Sequence, residues 1–274
     1  MALRTQAIND TDMNKVDVND QGKAWLSNGI NTLSGIALGS AGVLATSIDG
    51  GALIGLIGGL SPIAGDYIAR SLSLKEHERV ETAATTAVRE IGINMAAGMR
   101  LRTDDFFKAV GGRPAAEEIF EGVLSIARSE YEENKLPYLA NLYASIPFDP
   151  SISRGEANRL IQQLELLTYQ KMCILALLSR ECGFEGLHKE CLHNMKIWPE
   201  ELPALMQDCI DLENQGLLTQ VDYEQSPSNG PHSWAFVVPA LLRIAEPSGK
   251  LIDLAKLSQI PETDIQHIRQ IIKT

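Results

Sequence analysis

The residues best suited to metal chemistry fall within twelve positions: Cys182, His188, Cys191 and His193, in the run CGFEGLHKECLH. Thiolate and imidazole together suit zinc. Their spacing matches no zinc knuckle and no Cys-x-x-Cys pair is present, so helical packing with surface histidines is the simpler reading. His77 and His232 have no serine or cysteine partner in a nucleophile motif. Glu76, Glu78 and Glu81 form a charged helix face rather than an acid–base pair. Gly111-Gly112-Arg113-Pro114 lacks the Lys-Ser/Thr that completes a phosphate loop and reads as a helix break. The sequence thus points to no catalytic residue, no metal and no cofactor, and the expectation is a protein that is not an enzyme.

The chemistry that stands out is apolar. From Ala24 to Gly65 the only charged residue is Asp49, and these 42 residues hold ten of the chain's 22 glycines. Asp49-Gly50-Gly51 is a turn signal near the middle. The stretch therefore reads as a helical hairpin of two apolar segments, Ile30–Ile48 and Gly51–Ala69. Gly35 and Gly39 make one GxxxG spacing, and Gly51, Gly55 and Gly59 make two more in tandem. On a helix this spacing puts the glycines on one face, where missing side chains let a second backbone approach closely. Each glycine costs a helix in water about 1 kcal/mol relative to alanine. Close packing, or a membrane that forces internal hydrogen bonding, offsets that cost.

A membrane span takes about 20 apolar residues. Asn31, Thr32, Ser34, Ser40, Thr46 and Ser47 dilute the first segment, and Pro62 and Asp66 interrupt the second. Neither suits a permanent span; both suit conditional insertion from a state that hides them. Lys15 and Lys23 before the hairpin, with Arg70, Lys75 and Arg79 after it, would keep both flanks on the cytoplasmic side. Trp25 would sit at the interface or pack in the protein. In composition the hairpin resembles the buried Gly/Ala-rich hairpin of colicin-like pore-forming domains, which implies insertion among amphipathic helices. The candidate membrane or oligomer-interface residues are Gly35, Gly39, Asp49, Gly51, Ile54, Gly55, Ile57 and Gly59. A hairpin of this kind equally suits the permanent core or the homo-oligomer interface of a helical protein.

The elements that must position the hairpin follow it. From Tyr67 to Arg100 there is no proline, and Val80, Ala84, Val88, Ile91 and Met95 recur at helical spacing. Thr103, Asp104 and Asp105 suit the cap of a short helix through Val110. Pro114, in a first turn, opens a helix with Ile119, Phe120, Val123, Leu124 and Ala127 on its buried face. Lys135–Ser145 is the next helix, broken by Pro147 and Pro150. Ser153 and Glu156 fit a capping box for a helix through Leu167. Thr168 caps a nearly all-apolar partner, Tyr169–Arg180. The last hundred residues read as helix Pro199–Gln215, β-like Leu217–Tyr223, a loop, β-like Ser233–Val238, a short helix from Ser248 to near Ile260, and a helix Glu262–Lys273. That order is the outline of a winged-helix module.

Charge narrows the partners. The chain carries a net −11, of which −10 lies beyond Arg102. The helix Pro199–Gly216, in the position of a recognition helix, holds Glu200, Glu201, Asp208, Asp211 and Glu213 and no Lys or Arg. Phosphate would be repelled there, so nucleic acid is not an expected partner. The first twenty residues lack the apolar core of a signal peptide, so Cys173, Cys182, Cys191 and Cys209 are expected to be reduced thiols in the cytoplasm.

Two passages carry a family resemblance. NKLPYLANLYASIPFDPSISRGEANRLIQQLELLTYQKMCILALL resembles the helical region of bacterial Abi-alpha-like proteins, and GLLTQVDYE with LLRIAEPSGKLIDLAKL resembles the way such proteins end. They cover well under half of the chain, and the hairpin is outside the match. The resemblance implies a role in abortive phage infection, in which an infected cell is arrested or killed; it transfers no catalytic residue.

Together these readings predict a mainly α protein: a helical bundle with a Gly-rich apolar hairpin in residues 1–150 and a winged-helix-like module in residues 151–274. The expected function is a defence effector that self-associates and perturbs a membrane. Its partners would be copies of itself, membrane lipid and an unidentified protein or trigger. Its place would be the cytoplasm, with the inner membrane reached on activation. The alternative is a soluble homo-oligomeric adaptor with the hairpin permanently buried.

Overall fold

The computed structural model describes residue 63 and residues 73–109, 111–180, 187–191, 194–195, 197–221 and 234–273. Within these the protein is mainly α: eight α-helices and one two-stranded sheet. The chain divides into two compact units, Met1–Gln162 and Gln163–Thr274.

In the first unit, helix α1 spans Leu74–Ala96, α2 spans Ala115–Ser129 and α3 spans Leu136–Ser145. A capping box sets the start of α1: the Ser73 hydroxyl accepts from the Glu76 amide, and the Glu76 carboxylate accepts from the Ser73 amide, both at 3.2 Å. Its end falls four residues before the predicted Arg100. Gly98, at φ +85°, takes the left-handed turn, and the amides of Gly98 and Met99 bond back to Met95 and Asn94. The predicted start near Tyr67 lies outside the described residues.

Side-chain bonds fix the direction of the three helices. Arg79 reaches Glu133, just before α3, at 3.4 Å, while Asn94 reaches the Ala144 carbonyl at the other end of α3, also at 3.4 Å. Helices α1 and α3 therefore run parallel. The Tyr143 hydroxyl donates to the Ala116 carbonyl at 3.3 Å, so α2 runs antiparallel to both and packs against the α1–α3 pair. Small residues are buried on both helices: Ala83, Ala84 and Ala87 on α1, and Ala140 and Ala144 on α3. Phe120 and Tyr143 fill the centre, their rings 4.8 Å apart. The predicted stripe of α1 is buried from Val80 to Ile91, but Met95 is only half-buried.

Between α1 and α2 the predicted short helix shrinks to one 3-10 turn, Asp105–Phe107, because Lys108 is already extended. Asp104, rather than Thr103, caps it, accepting from the Phe106 amide at 3.4 Å. Pro114 stands one position before α2, with ψ 139°, rather than in its first turn. Arg102 pins this connection. Its side chain is buried, pairs with the Asp104 carboxylate, donates to the Ile152 carbonyl at 2.9 Å and lies 4.5 Å over the Phe106 ring. Burial raises the Asp104 carboxyl pKa, but hydrogen bonding and charge from Arg102 outweigh it and hold it below the usual value.

Helix α4 spans Arg154–Leu166, and the unit boundary at Gln162–Gln163 falls inside it. The Ser153 hydroxyl accepts from the Glu156 amide at 3.1 Å, as its cap position requires. In the second unit, α5 (Tyr169–Arg180) begins at the Thr168 cap and is the central helix, with Lys171 through Leu178 all buried. Around it stand α6 (Leu202–Asn214), α7 (Glu246–Leu254), α8 (Glu262–Lys273) and the sheet.

Strands β1 (Leu218–Gln220) and β2 (Leu242–Ile244) pair antiparallel, with Leu218 opposite Ile244 and Gln220 opposite Leu242. The second strand is therefore not Ser233–Val238. Trp234–Phe236 forms a 3-10 turn against α6, and Pro239 opens another, Pro239–Leu241. The Gln220 side chain takes the Val238 amide at 2.7 Å, occupying a donor that a continuous strand would use. Helix α7 begins at Glu246, two residues before the predicted Ser248, and ends at Leu254; a separate 3-10 turn covers Leu257–Gln259 after left-handed Lys256.

Candidate functional site

All eight predicted interface residues, Gly35, Gly39, Asp49, Gly51, Ile54, Gly55, Ile57 and Gly59, lie outside the described residues, as do Trp25, Cys182, His193 and His232. What the structure supplies is the point where the described helices begin: Ser73, which caps α1 and fixes its first turn. Among the described residues no helix is long and apolar enough to cross a membrane.

The metal constellation is only half placed. Cys191 is buried and His188 is half-buried. The backbone of His188 is structural: its amide donates to the Ile272 carbonyl at 3.0 Å, and its carbonyl accepts from the Ala240 amide at 2.9 Å. Among the described residues no group of three or more His, Cys, Asp or Glu is placed to hold a metal ion. Cys173, Cys191 and Cys209 are buried thiols that form no disulfide among the described residues. Burial pushes the Cys209 thiol pKa far up, with Asp208 and Glu213 adding to the effect, so it stays protonated and is a poor nucleophile.

The best-defined chemistry in the second unit surrounds Lys171, which the sequence reading did not single out. Its ammonium group is drawn into the α5–α6 contact, with a side-chain exposure of 10%. It donates to Asp211 at 2.7 Å and stands 3.8 Å from Asp208, both on α6 one turn apart. The two carboxylates respond oppositely. Hydrogen bonding from Lys171 lowers the pKa of Asp211, which solvent still reaches. Burial raises that of Asp208, with Lys171 opposing the shift and the Asp211 charge adding to it. The signal in the sequence was a lone lysine in an apolar helix, since a buried ammonium needs a carboxylate opposite it.

The approach to α6 is a second feature. Glu200 and Glu201 are exposed at its start, and no lysine or arginine follows before Leu217. Just ahead of them Ile197 is 87% and Trp198 40% exposed. Trp234 and Phe236, in the 3-10 turn that packs on α6, are half-buried. Comparison with protein-family models, characterised proteins and solved structures gives no match.

Proposed function

We propose that this chain is a non-enzymatic effector of the bacterial abortive-infection type, which self-associates through residues 24–65 and perturbs a membrane when triggered. One observation carries the reading: 42 residues with a single charge, ten glycines and three GxxxG spacings. Such a stretch is costly as an isolated helix in water and well suited to close helix pairing. The first unit supports it as a scaffold, because α1, α2 and α3 use their apolar faces on one another and α1 starts from a firmly capped Ser73. In this reading the protein waits in the cytoplasm and reaches the inner membrane on activation. Its partners are its own copies, lipid and an unidentified trigger, and the second unit is a winged-helix-like module for protein contact rather than for nucleic acid.

The competing adaptor reading, with the hairpin permanently packed, draws on the polar Asn31, Thr32, Ser34, Ser40, Thr46 and Ser47 in the first segment. Gly55→Leu tests self-association. Light scattering should show a smaller assembly than for the wild type, because a leucine holds the paired backbones apart. An unchanged mass would remove the GxxxG face from the account. Fractionation of infected and uninfected cells then separates the readings: the effector moves to the membrane fraction on infection, and the adaptor does not.

A further inference from the structure

The surface at the start of α6 combines two properties that seldom serve stability. Ile197 and Trp198 are adjacent, large, apolar and exposed, and water is a poor environment for both. After Pro199, and before α6 begins, come the exposed carboxylates of Glu200 and Glu201; Glu213, near the end of α6, is half-buried. Asp208 and Asp211 are turned to Lys171, whose single positive charge leaves the helix strongly negative. The aromatic rings of Trp234 and Phe236 stay half-open in the turn that packs against this helix.

We propose that the Ile197–Trp198 edge and the exposed carboxylates of Glu200 and Glu201 just before α6 form a docking surface for a basic amphipathic segment of another protein, one that sets apolar side chains between lysines or arginines. The apolar part of such a segment covers Ile197 and Trp198. Its cations meet Glu200 and Glu201 and can stack on the exposed tryptophan face. Charge selects this occupant over the others. Nucleic acid and anionic lipid are repelled by the carboxylates. A second copy docked by this same surface would set its own Glu200 and Glu201 against these carboxylates and is disfavoured here. The inference is independent of how residues 24–65 act.

Fluorescence anisotropy with the full-length protein at physiological salt tests it. The probe is a labelled 18-residue helical peptide of leucines and lysines, and its counterpart has every lysine replaced by glutamine. The lysine peptide should bind, and the glutamine peptide should bind at least about tenfold more weakly. Ile197→Ser with Trp198→Ala should weaken binding about tenfold, the scale of losing an interface anchor. Ile197→Ser alone, at a position exposed enough not to disturb folding, should weaken it measurably in the same direction. Glu200→Lys with Glu201→Lys should do so about tenfold. Asp105→Lys with Glu133→Lys makes the same charge change in the first unit and should alter binding less than twofold. The proposal is overturned by no binding of the lysine peptide, by equal binding of the glutamine peptide, or by equal loss in the first-unit variant. It is also overturned if light scattering shows the wild type assembling through a contact that Ile197→Ser abolishes, since the occupant is then a second copy.

Discussion

Lys171 shows what a single buried charge demands of its neighbours. Asp211 bonds it at 2.7 Å and Asp208 stands at 3.8 Å, so the first holds the ammonium and the second mainly bears the cost of burial. Asp211→Asn should lower stability by about 1–2 kcal/mol at neutral pH, because a buried ammonium loses its acceptor while solvent screens part of the loss. Asp208→Asn should leave stability unchanged or raise it. The pH dependence follows with opposite signs. Asp211 has a pKa below its unfolded value, so its contribution is present above pH about 4 and is lost as pH falls through the folded value. Asp208 has a raised pKa, so its contribution is present below pH about 4 and is lost as pH rises through the folded value. Denaturant titrations of both variants between pH 3 and pH 7 check this; equal losses at pH 7 would contradict it. Neither role could be read from the sequence, because the pairing joins residues 40 apart on two helices.

At the scale of elements, the sequence was most informative where local chemistry decides and least informative where a distant partner does. Ser153 and Thr168 bind the amides that their cap positions imply, and Glu262–Lys273 is helical over its predicted length. The strand misplacement has the opposite cause. Ser-Trp-Ala-Phe-Val-Val has strong β propensity, but the Gln220 side chain and the α6 surface claim that segment, and Leu242–Ile244 takes the pairing. A glycine at a helix end was the other missed signal: Gly98 shortens α1, whereas Gly216 closes α6 directly after its predicted end at Gln215. At Gly216, with φ +70°, the Leu217 amide bonds back to Leu212 at 2.8 Å. Gly216→Ala should cost about 1 kcal/mol from the left-handed backbone alone, since a methyl group there meets no atom within 4 Å. Gly122→Ala, inside α2 and equally open, should instead stabilise by about 0.5–1 kcal/mol. Urea denaturation of both variants gives the two signs directly; the same sign for both would contradict the backbone account.

The whole molecule joins a stretch with almost no charge to a strongly acidic remainder. The candidate hairpin site was legible as composition alone, and nothing in its residues states what covers it, because an apolar glycine face serves lipid, core and neighbour equally. Charge is more decisive. With −10 beyond Arg102, the chain should give no measurable duplex DNA binding at physiological salt; a salt-sensitive mobility shift at submicromolar protein would contradict this. In the proposed function residues 24–65 act on a bilayer, and Asp49 is the residue to test. As the only charge in the stretch, at its predicted Asp-Gly-Gly turn, it must cross the bilayer or rest at its far face if the hairpin inserts. An aspartate in the hydrocarbon costs roughly 2.5–3.5 kcal/mol, and asparagine keeps the turn chemistry without the charge. The direct measurement is dye release from liposomes by the wild type and by Asp49→Asn, with melting temperatures recorded alongside. Dye release that rises or holds in Asp49→Asn, at an unchanged melting temperature, is the predicted result; liposomes left intact by both proteins in every oligomeric state would contradict the membrane reading and leave the buried-hairpin adaptor in its place.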